Sequence, residues 1–171
     1  MANKNEIVKL TDGVYQIKYY WLGIANVYAY LIVGSERALL IDTCYSITGI
    51  KKYVEQITTL PVDVVNTHGH FDHIGGKAEF ETIYLSKADR EVAGEHSDYN
   101  ALRKMIDKYE EKNVLVRYLF KLKKYKKQVE ESLHKKSVEY KDKPISEIII
   151  KRERNVSFIK QTVTTPGSYS L

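Results

Sequence analysis

The fold of this chain is decided by the stretch Thr67-His68-Gly69-His70-Phe71-Asp72-His73-Ile74-Gly75-Gly76. It places three of the five histidines and one aspartate within six residues. A valine-rich run, Val62 to Val65, comes directly before it and predicts a strand that ends at this loop. Imidazole nitrogens and carboxylate oxygens are ligands for zinc, and also for iron or manganese. The spacing therefore predicts that His68, His70, Asp72 and His73 share one space, where they would hold a metal ion.

The segments around this loop alternate in the way that strands and helices do. Strands are predicted over Gly13 to Ile17, Asn26 to Val33 and Arg37 to Asp42. The last of these contains Ala-Leu-Leu-Ile, which is apolar on both faces and indicates a covered, central strand. Thr48 to Ile57 has helical spacing, and Ile83 to Leu85 predicts another short strand. A helix between two strands indicates a βαβ unit and hence an α/β fold.

The composition is that of one ordinary folded domain. The chain has 171 residues, of which 43% are hydrophobic and 29% charged, and these values exclude low-complexity and collagen-like sequences. This length predicts a single domain over residues 1–171. The lone cysteine, Cys44, excludes an internal disulfide and a Cys₄ zinc cluster. Because it follows a predicted strand, we expect it to be a small buried side chain rather than a nucleophile.

The sequence gives no indication of a membrane segment. Its longest apolar stretch, Val27 to Val33, has seven residues, whereas a helix that spans a bilayer needs roughly 20. Residues 1–6 are polar and lack the apolar centre of a signal peptide. We therefore expect a soluble, cytoplasmic protein with no membrane partner.

A basic helical segment is predicted over residues 97–143. The whole chain has a net charge of +5, and residues 103–143 alone carry +7. Lysines over 121–127 interleave with Leu122 and Tyr125, which suits either an amphipathic helix with a solvated face or a nucleic-acid surface. Seven acidic residues are mixed into residues 103–143, and they favour the solvated face. A nucleic-acid partner is therefore the less favoured interpretation. Strand patterns return over 145–150 and 158–164.

The histidine stretch and the segments before it resemble the metallo-β-lactamase fold superfamily. His68-x-His70-x-Asp72-His73 is similar to the family signature. The approach to it also agrees, with Asp-Gly-Val-Tyr at 12–15, Asn-Val-Tyr at 26–28 and Leu-Ile-Asp-Thr at 40–43. The resemblance covers residues 10–86 and resumes near 158–171. It implies an α/β (α+β) fold, namely an αββα sandwich of two similar halves with metal at the sheet edge, in which residues 97–143 form an insertion.

The resemblance also implies a role for each residue of the motif. His68 and His70 match ligands of a first zinc site, and Asp72 and His73 match ligands of a second. A metal-bound hydroxide would attack an ester, thioester, lactone or phosphodiester, because zinc lowers the pKa of bound water to about 7. Asp72 is the candidate catalytic residue, since it can orient that hydroxide or accept a proton. Asp42 matches a position that supports the metal loop.

The sequence departs from the family after the insertion. The family has a histidine in a Thr-Pro-Gly-His stretch, whereas this chain reads Thr165-Pro166-Gly167-Ser168 and ends at Leu171. Either Ser168 replaces the histidine, or a His-x-Pro-Gly tetrapeptide is missing before it. We therefore expect a domain that is incomplete at its C-terminus, with at most one weakly held zinc. Because half a sandwich would expose apolar surface, we also expect a homo-oligomer.

The sequence is compatible with three functions. The first is a metal-dependent hydrolase acting on a small-molecule substrate, and the second is an incomplete or non-catalytic domain with weak metal binding. The third, less favoured, is a nucleic-acid-binding module that uses the basic helices. Because the first site lacks a histidine, we expect activity well below that of a complete family member. Of the remaining histidines, His96 is interpreted as a surface or capping side chain, and His134, which precedes two lysines, as a solvated one.

Overall fold

One mixed β-sheet organises the part of the chain that the structure describes. The computed structural model describes residues 5–21, 25–45, 49–98, 100, 104, 107–108, 111–112, 114 and 140–141. The sheet has six strands, and neighbours in the sheet are also neighbours in the sequence. The strands are β1 (Glu6–Thr11), β2 (Val14–Trp21), β3 (Ala25–Val33), β4 (Ala38–Ile41), β5 (Val62–Val65) and β6 (Ile83–Tyr84). Up to residue 98 they are accompanied by three short α-helices, α1 (Lys51–Val54), α2 (Phe71–Ile74) and α3 (Arg90–Glu95), and by two 3₁₀ helices, Lys77–Glu79 and Lys87–Asp89.

The first half of the sheet is antiparallel and the second half is parallel. Strands β1 to β4 pair antiparallel, and β4, β5 and β6 pair parallel. The parallel pairing of β4 with β5 confirms the predicted βαβ unit, although the helix between them, α1, is shorter than the predicted Thr48–Ile57. The α/β fold class is thereby confirmed.

Strand β1 was not predicted from the sequence. It pairs with β2 across a turn in which Gly13 has a φ of 62°, a left-handed value that glycine adopts without steric cost. Its side chains are exposed or half-buried. An edge strand of this kind buries too little apolar surface to produce a strong alternating pattern.

One face of the sheet is covered and forms the main core. Ile17, Leu31 and Leu40 come from adjacent strands and are fully buried. Ile50 and Val54, at and within α1, pack against this face and are buried with them. The helix therefore covers the strands that the sequence marked as central, because its apolar positions face the sheet.

The parallel pairing places the candidate site at one edge of the sheet. Ile41 of β4 is in register with Val65 of β5, and the backbone N–H of Asp42 donates to the carbonyl of Val65 at 2.8 Å. The segments that leave the two strands therefore start side by side. One carries Asp42, and the other begins the histidine stretch.

The later parts of the predicted architecture are only partly described. Residues 100, 104, 107, 108, 111, 112 and 114 are helical, in the region of the predicted 97–143 segment. The strands expected over 145–150 and 158–164, and the stretch Thr165 to Leu171, lie outside the described residues. Within the described residues, no helix is long and apolar enough to cross a membrane.

Gly69 allows α3 to pack closely against the histidine stretch. A Cβ at this position would lie 2.6 Å from both the Ala93 nitrogen and the Asp89 oxygen, which are backbone atoms. We expect Gly69→Ala to destabilise the fold by about 1–3 kcal/mol because the backbone must move to admit the methyl group. Urea unfolding measures this loss.

Gly94 provides the matched control on α3. A Cβ there would meet no atom within 4 Å, so we expect Gly94→Ala to raise the free energy of unfolding by up to about 1 kcal/mol. Equal effects of the two substitutions would contradict the close packing at Gly69.

Candidate functional site

The Asp42 carboxylate joins the ends of β4 and β5. Asp42 is buried and has a φ of 63°, a left-handed conformation that aspartate tolerates better than most residues. Its Oδ1 accepts the backbone N–H of Thr67 at 2.7 Å, and its Oδ2 accepts the Thr67 hydroxyl at 2.8 Å. The Nδ1 atom of His73 lies 2.8 Å from the same Oδ2. These contacts are those expected of a residue that supports the metal loop.

The backbone of His73 is fixed as firmly as its ring. Its carbonyl accepts the backbone N–H of Thr43 at 2.7 Å and the Thr43 hydroxyl at 3.0 Å. The side-chain amide of Asn66 donates to the same carbonyl at 2.8 Å. Asn66 and Thr43 are fully buried, so these bonds lie in a region where leaving the carbonyl unpaired would be costly. The position of α2 therefore depends on residues at the ends of β4 and β5.

The structure brings together the four residues that the sequence singled out. The ring centroids of His68 and His73 are 3.9 Å apart, and those of His68 and His70 are 4.9 Å apart. Asp72 Oδ2 lies 3.5 Å from His73 Nε2. The predicted juxtaposition is therefore observed, while the role of these residues as metal ligands stays a prediction.

The local environment moves the pKa values of two of these histidines in opposite directions. Burial and the nearby His73 lower the pKa of His68. Burial also opposes protonation of His73, but its hydrogen bond to Asp42 and the charges of Asp42 and Asp72 outweigh this and raise its pKa. His68 is therefore held neutral, as a metal ligand must be.

The hydrogen bonds of His68 and His73 indicate which nitrogen of each ring is available to bind a metal. The Thr67 hydroxyl has one proton, and it donates this proton to the Asp42 carboxylate. Towards His68 Nδ1, 3.0 Å away, the same hydroxyl must accept, so Nδ1 of His68 carries the proton. His73 Nδ1 faces a carboxylate and is likewise the protonated nitrogen. In their neutral forms both rings therefore keep a lone pair on Nε2, as in histidines that bind metal while donating their other N–H to a supporting group.

The side chains of the motif are of the types that bind zinc. Neutral imidazole nitrogens and one carboxylate are common zinc ligands. Among the described residues, however, no three His, Cys, Asp or Glu side chains are arranged around one point as a metal site requires. The residues present thus fit a metal by their chemistry and their hydrogen-bonded support, without a closed coordination shell.

His96 is a fourth histidine of this cluster, and sequence reasoning did not place it there. Its ring centroid is 4.8 Å from that of His70, with the ring planes at 88°. Its Nδ1 accepts the backbone N–H of Phe71, the first residue of α2, at 3.2 Å. The expected capping role is therefore present, but the ring is half-buried beside the motif rather than on the surface. Only the packing of α3 brings it there, and no local sequence signal marks it.

A buried lysine lies on the chain that leaves the motif. Lys77 is 8% exposed, its ammonium group contacts the Ser97 hydroxyl, and its Nζ lies 5.4 Å from the centre of the Tyr140 ring. Burial lowers the pKa of Lys77 to about 8 and raises that of Tyr140 to about 12. This cluster packs residues from distant parts of the chain against the segment after α2.

Cys44 is buried, as the sequence predicted. Burial is the main cause that raises the pKa of its thiol, and the charges of Asp42 and Asp72 act in the same direction. A thiol held in its protonated form is a poor nucleophile, so the interpretation of Cys44 as a packing residue is supported.

The sequence around the site is similar to that of known proteins. Residues 22–84 match the sequence model of the Metallo-beta-lactamase superfamily. The resemblance to that superfamily is confirmed. The matched region includes β4, β5 and the whole histidine motif.

Curated relatives and solved structures cover part of the chain. Human acyl-coenzyme A thioesterase MBLAC2 is 27% identical over 57% of this chain and 40% of the relative, and the chicken protein is 29% identical over 58% and 39%. This chain therefore spans about 40% of the length of those relatives. The metallo-beta-lactamase from Pontibacter korlensis has a TM-score of 0.47 and 24% identity over 55% of this chain and 49% of its own. DIM-1 metallo-beta-lactamase has a TM-score of 0.48 and 17% identity, and the match covers 54% of this chain and 47% of DIM-1.

The support given by Asp42 is testable by substitution. Asp42→Asn removes the charge that accepts from Thr67 and His73, and we expect it to lower the free energy of unfolding by about 2–3 kcal/mol. Asp63→Asn is the control, because Asp63 also accepts two hydrogen bonds, from the half-exposed Arg37. It should cost about 0.5 kcal/mol. Urea unfolding of both variants measures the difference, and similar losses would contradict a special role for Asp42.

Lys77 makes stability depend on pH in a defined direction. The pKa of Lys77 is about 8 in the folded chain, whereas its ordinary pKa is 10.5. Between these two pH values the unfolded chain keeps a proton that folded Lys77 has released. The stability of the wild type therefore rises with pH in this range. Lys77→Met removes this dependence. The stability of the variant relative to wild type should therefore fall by about 1–2 kcal/mol between pH 7 and pH 9.5.

Chemical unfolding at the two pH values checks this prediction. Lys52→Met, at an exposed position of α1, is the control and should show no such trend. An unchanged difference between Lys77→Met and wild type would contradict the assignment of Lys77 as a buried, easily deprotonated amine.

Proposed function

We propose that this chain carries metal-binding residues of a hydrolase active site. His68, His70, Asp72 and His73 would hold zinc at the edge of the sheet where β4 and β5 end. The observation that carries the proposal is the hydrogen-bonded support of the two histidine rings by Asp42 and Thr67. When the two rings are neutral, this support leaves the Nε2 lone pairs of His68 and His73 available.

The substrate class that we propose is a thioester. The support is the similarity to curated relatives named acyl-coenzyme A thioesterases, together with a site built from imidazoles and a carboxylate. When bound, zinc would supply Lewis-acid polarisation of an acyl oxygen and of water.

Asp72 is the residue that we propose to move a proton. Its carboxylate is about one-third exposed and lies beside His73 Nε2, so it is open to solvent and close to the candidate metal ligands. A carboxylate in this position can accept a proton from water as the water attacks an acyl carbon. Asp42 is already saturated by Thr67 and His73, so its contribution is to orient the ring rather than to transfer a proton.

A non-catalytic domain with weak metal binding is the second candidate function. It is favoured by the absence, among the described residues, of three side chains arranged as a metal site. Zinc binding without turnover would support it over the hydrolase.

The cellular location and the partners of the protein are also part of what we propose. We propose a cytoplasmic enzyme for a small-molecule substrate, with a second copy of the chain as its partner and no nucleic-acid partner. Light scattering of the purified chain tests self-association, and a monomer at high concentration would overturn that part.

Zinc binding and thioester hydrolysis test the function directly. We expect at most one zinc per chain by calorimetry, and its binding should be lost in His68→Ala and in His73→Ala. With zinc present, release of free thiol from acetyl-coenzyme A should fall at least about 100-fold in Asp72→Ala, because a positioned acid–base group contributes 10²–10⁴-fold.

The control for this experiment is Asp63→Ala, which changes an aspartate outside the site and should leave both measurements unchanged. Hydrolysis that survives both Asp72→Ala and exhaustive chelation would overturn the proposed site. Zinc binding that survives loss of His68 and His73 would overturn the proposed ligands.

A further inference from the structure

His96 enters the histidine cluster in one defined tautomer. Its Nδ1 accepts the backbone N–H of Phe71 at 3.2 Å, and a nitrogen that accepts a hydrogen bond carries no proton. In the neutral ring the proton must then be on Nε2. The Nδ1 lone pair is occupied by Phe71, and the Nε2 lone pair is replaced by an N–H bond. In this form His96 is a hydrogen-bond donor at Nε2 and not a metal ligand.

The position of the ring is determined by three contacts. Besides the bond from Phe71, the ring lies edge-to-face with His70 at 4.8 Å and 88°, and it stacks on the Phe71 ring at 6.4 Å and 26°. The His96 backbone N–H also donates to the Val92 carbonyl at 2.9 Å and ends α3. A ring held in this way loses little further freedom when it binds a ligand.

The Nε2–H group of His96 has no acceptor among the described residues. The ring is half-buried, so part of it is open to solvent. A ligand can therefore contact the ring. Because the His96 ring lies beside that of His70, an acceptor bound to Nε2–H would lie near the histidine cluster.

We propose that His96 binds the acyl oxygen of the substrate, and the carboxylate oxygen of the product, through Nε2–H. The inference deepens the proposed function and rests on it for the identity of the substrate. A neutral N–H donor beside the reacting carbonyl stabilises negative charge as it develops on the oxygen. His96 would thus act on the substrate directly, whereas Asp42 and Thr67 act only on the rings of other residues.

Two amide substitutions separate the two nitrogens of the ring. In His96→Asn, the amide oxygen can replace Nδ1 as the acceptor for Phe71, but no donor reaches the place of Nε2. In His96→Gln, the longer side chain can place an N–H donor near Nε2. Glu95→Gln changes the exposed neighbour of His96 and is the matched control.

The experiment measures binding of sodium acetate, a carboxylate probe, by nuclear magnetic resonance of ¹⁵N-labelled full chain, with and without zinc. We expect His96→Asn to weaken acetate binding about tenfold, since a hydrogen bond to a charged group is lost. His96→Gln should stay within about threefold of wild type, and Glu95→Gln should bind as wild type does. Long-range ¹H–¹⁵N spectra should show His96 protonated on Nε2 and not on Nδ1.

Several results would overturn the inference. These are wild-type protein that binds no acetate in either state, His96→Asn that binds it as well as wild type, and a His96 ring protonated on Nδ1. Acetate binding that depends on His96 in a protein that does not hydrolyse acetyl-coenzyme A would support the inference and count against the proposed function. The two proposals therefore fail through different measurements.

Discussion

The arrangement at the edge of the sheet depends on one buried carboxylate. Asp42 lies where β4 ends, and burying its charge would be strongly unfavourable unless hydrogen bonds replaced the lost water. Thr67 supplies two of these bonds and His73 supplies a third. Since Thr67 begins the histidine stretch and His73 ends its ligand-type residues, satisfying this charge fixes both ends of the motif at once.

This carboxylate also determines what the motif can do. Through the Thr67 hydroxyl it sets the proton position on His68, and through a direct contact it sets that on His73. The two rings lie 3.9 Å apart, with their remaining nitrogens free of the supporting bonds. The Asp42 carboxylate therefore affects the chemistry of both histidines. It acts on His68 through Thr67, because a hydroxyl that donates its single proton to Asp42 can only accept from His68.

The packing of α3 extends the cluster beyond the motif. Gly69 lets the backbone at Asp89 and Ala93 approach closely, and this approach carries His96 to the side of His70. Lys77 contacts Ser97, the residue that follows His96. The position of His96 therefore follows from a missing side chain at one residue and a buried amine at another, neither of which is a ligand-type group.

Most of the sheet could be predicted from the sequence because its strands are marked by local patterns. The span of β5 was correct at both ends, and β3, β4 and β6 were correct within a residue or two, since apolar runs bounded by turn residues depend on neighbouring residues alone. Strand β1 was missed because an exposed edge strand has a weak pattern. Helix α1 was predicted too long because helical spacing continues beyond the residues that pack on the sheet.

Local sequence alone fixed the identity and spacing of His68, His70, Asp72 and His73, and the strand that precedes them, because six consecutive residues cannot be far apart. Only the tertiary structure decided the proton positions on His68 and His73, since these follow from Asp42, which is 25 or more residues away along the chain. It also placed His96 in the cluster, through contacts that no local pattern encodes. The physical reason is the same in both cases: a hydrogen bond acts over 3 Å in space, and the sequence records only separation along the chain.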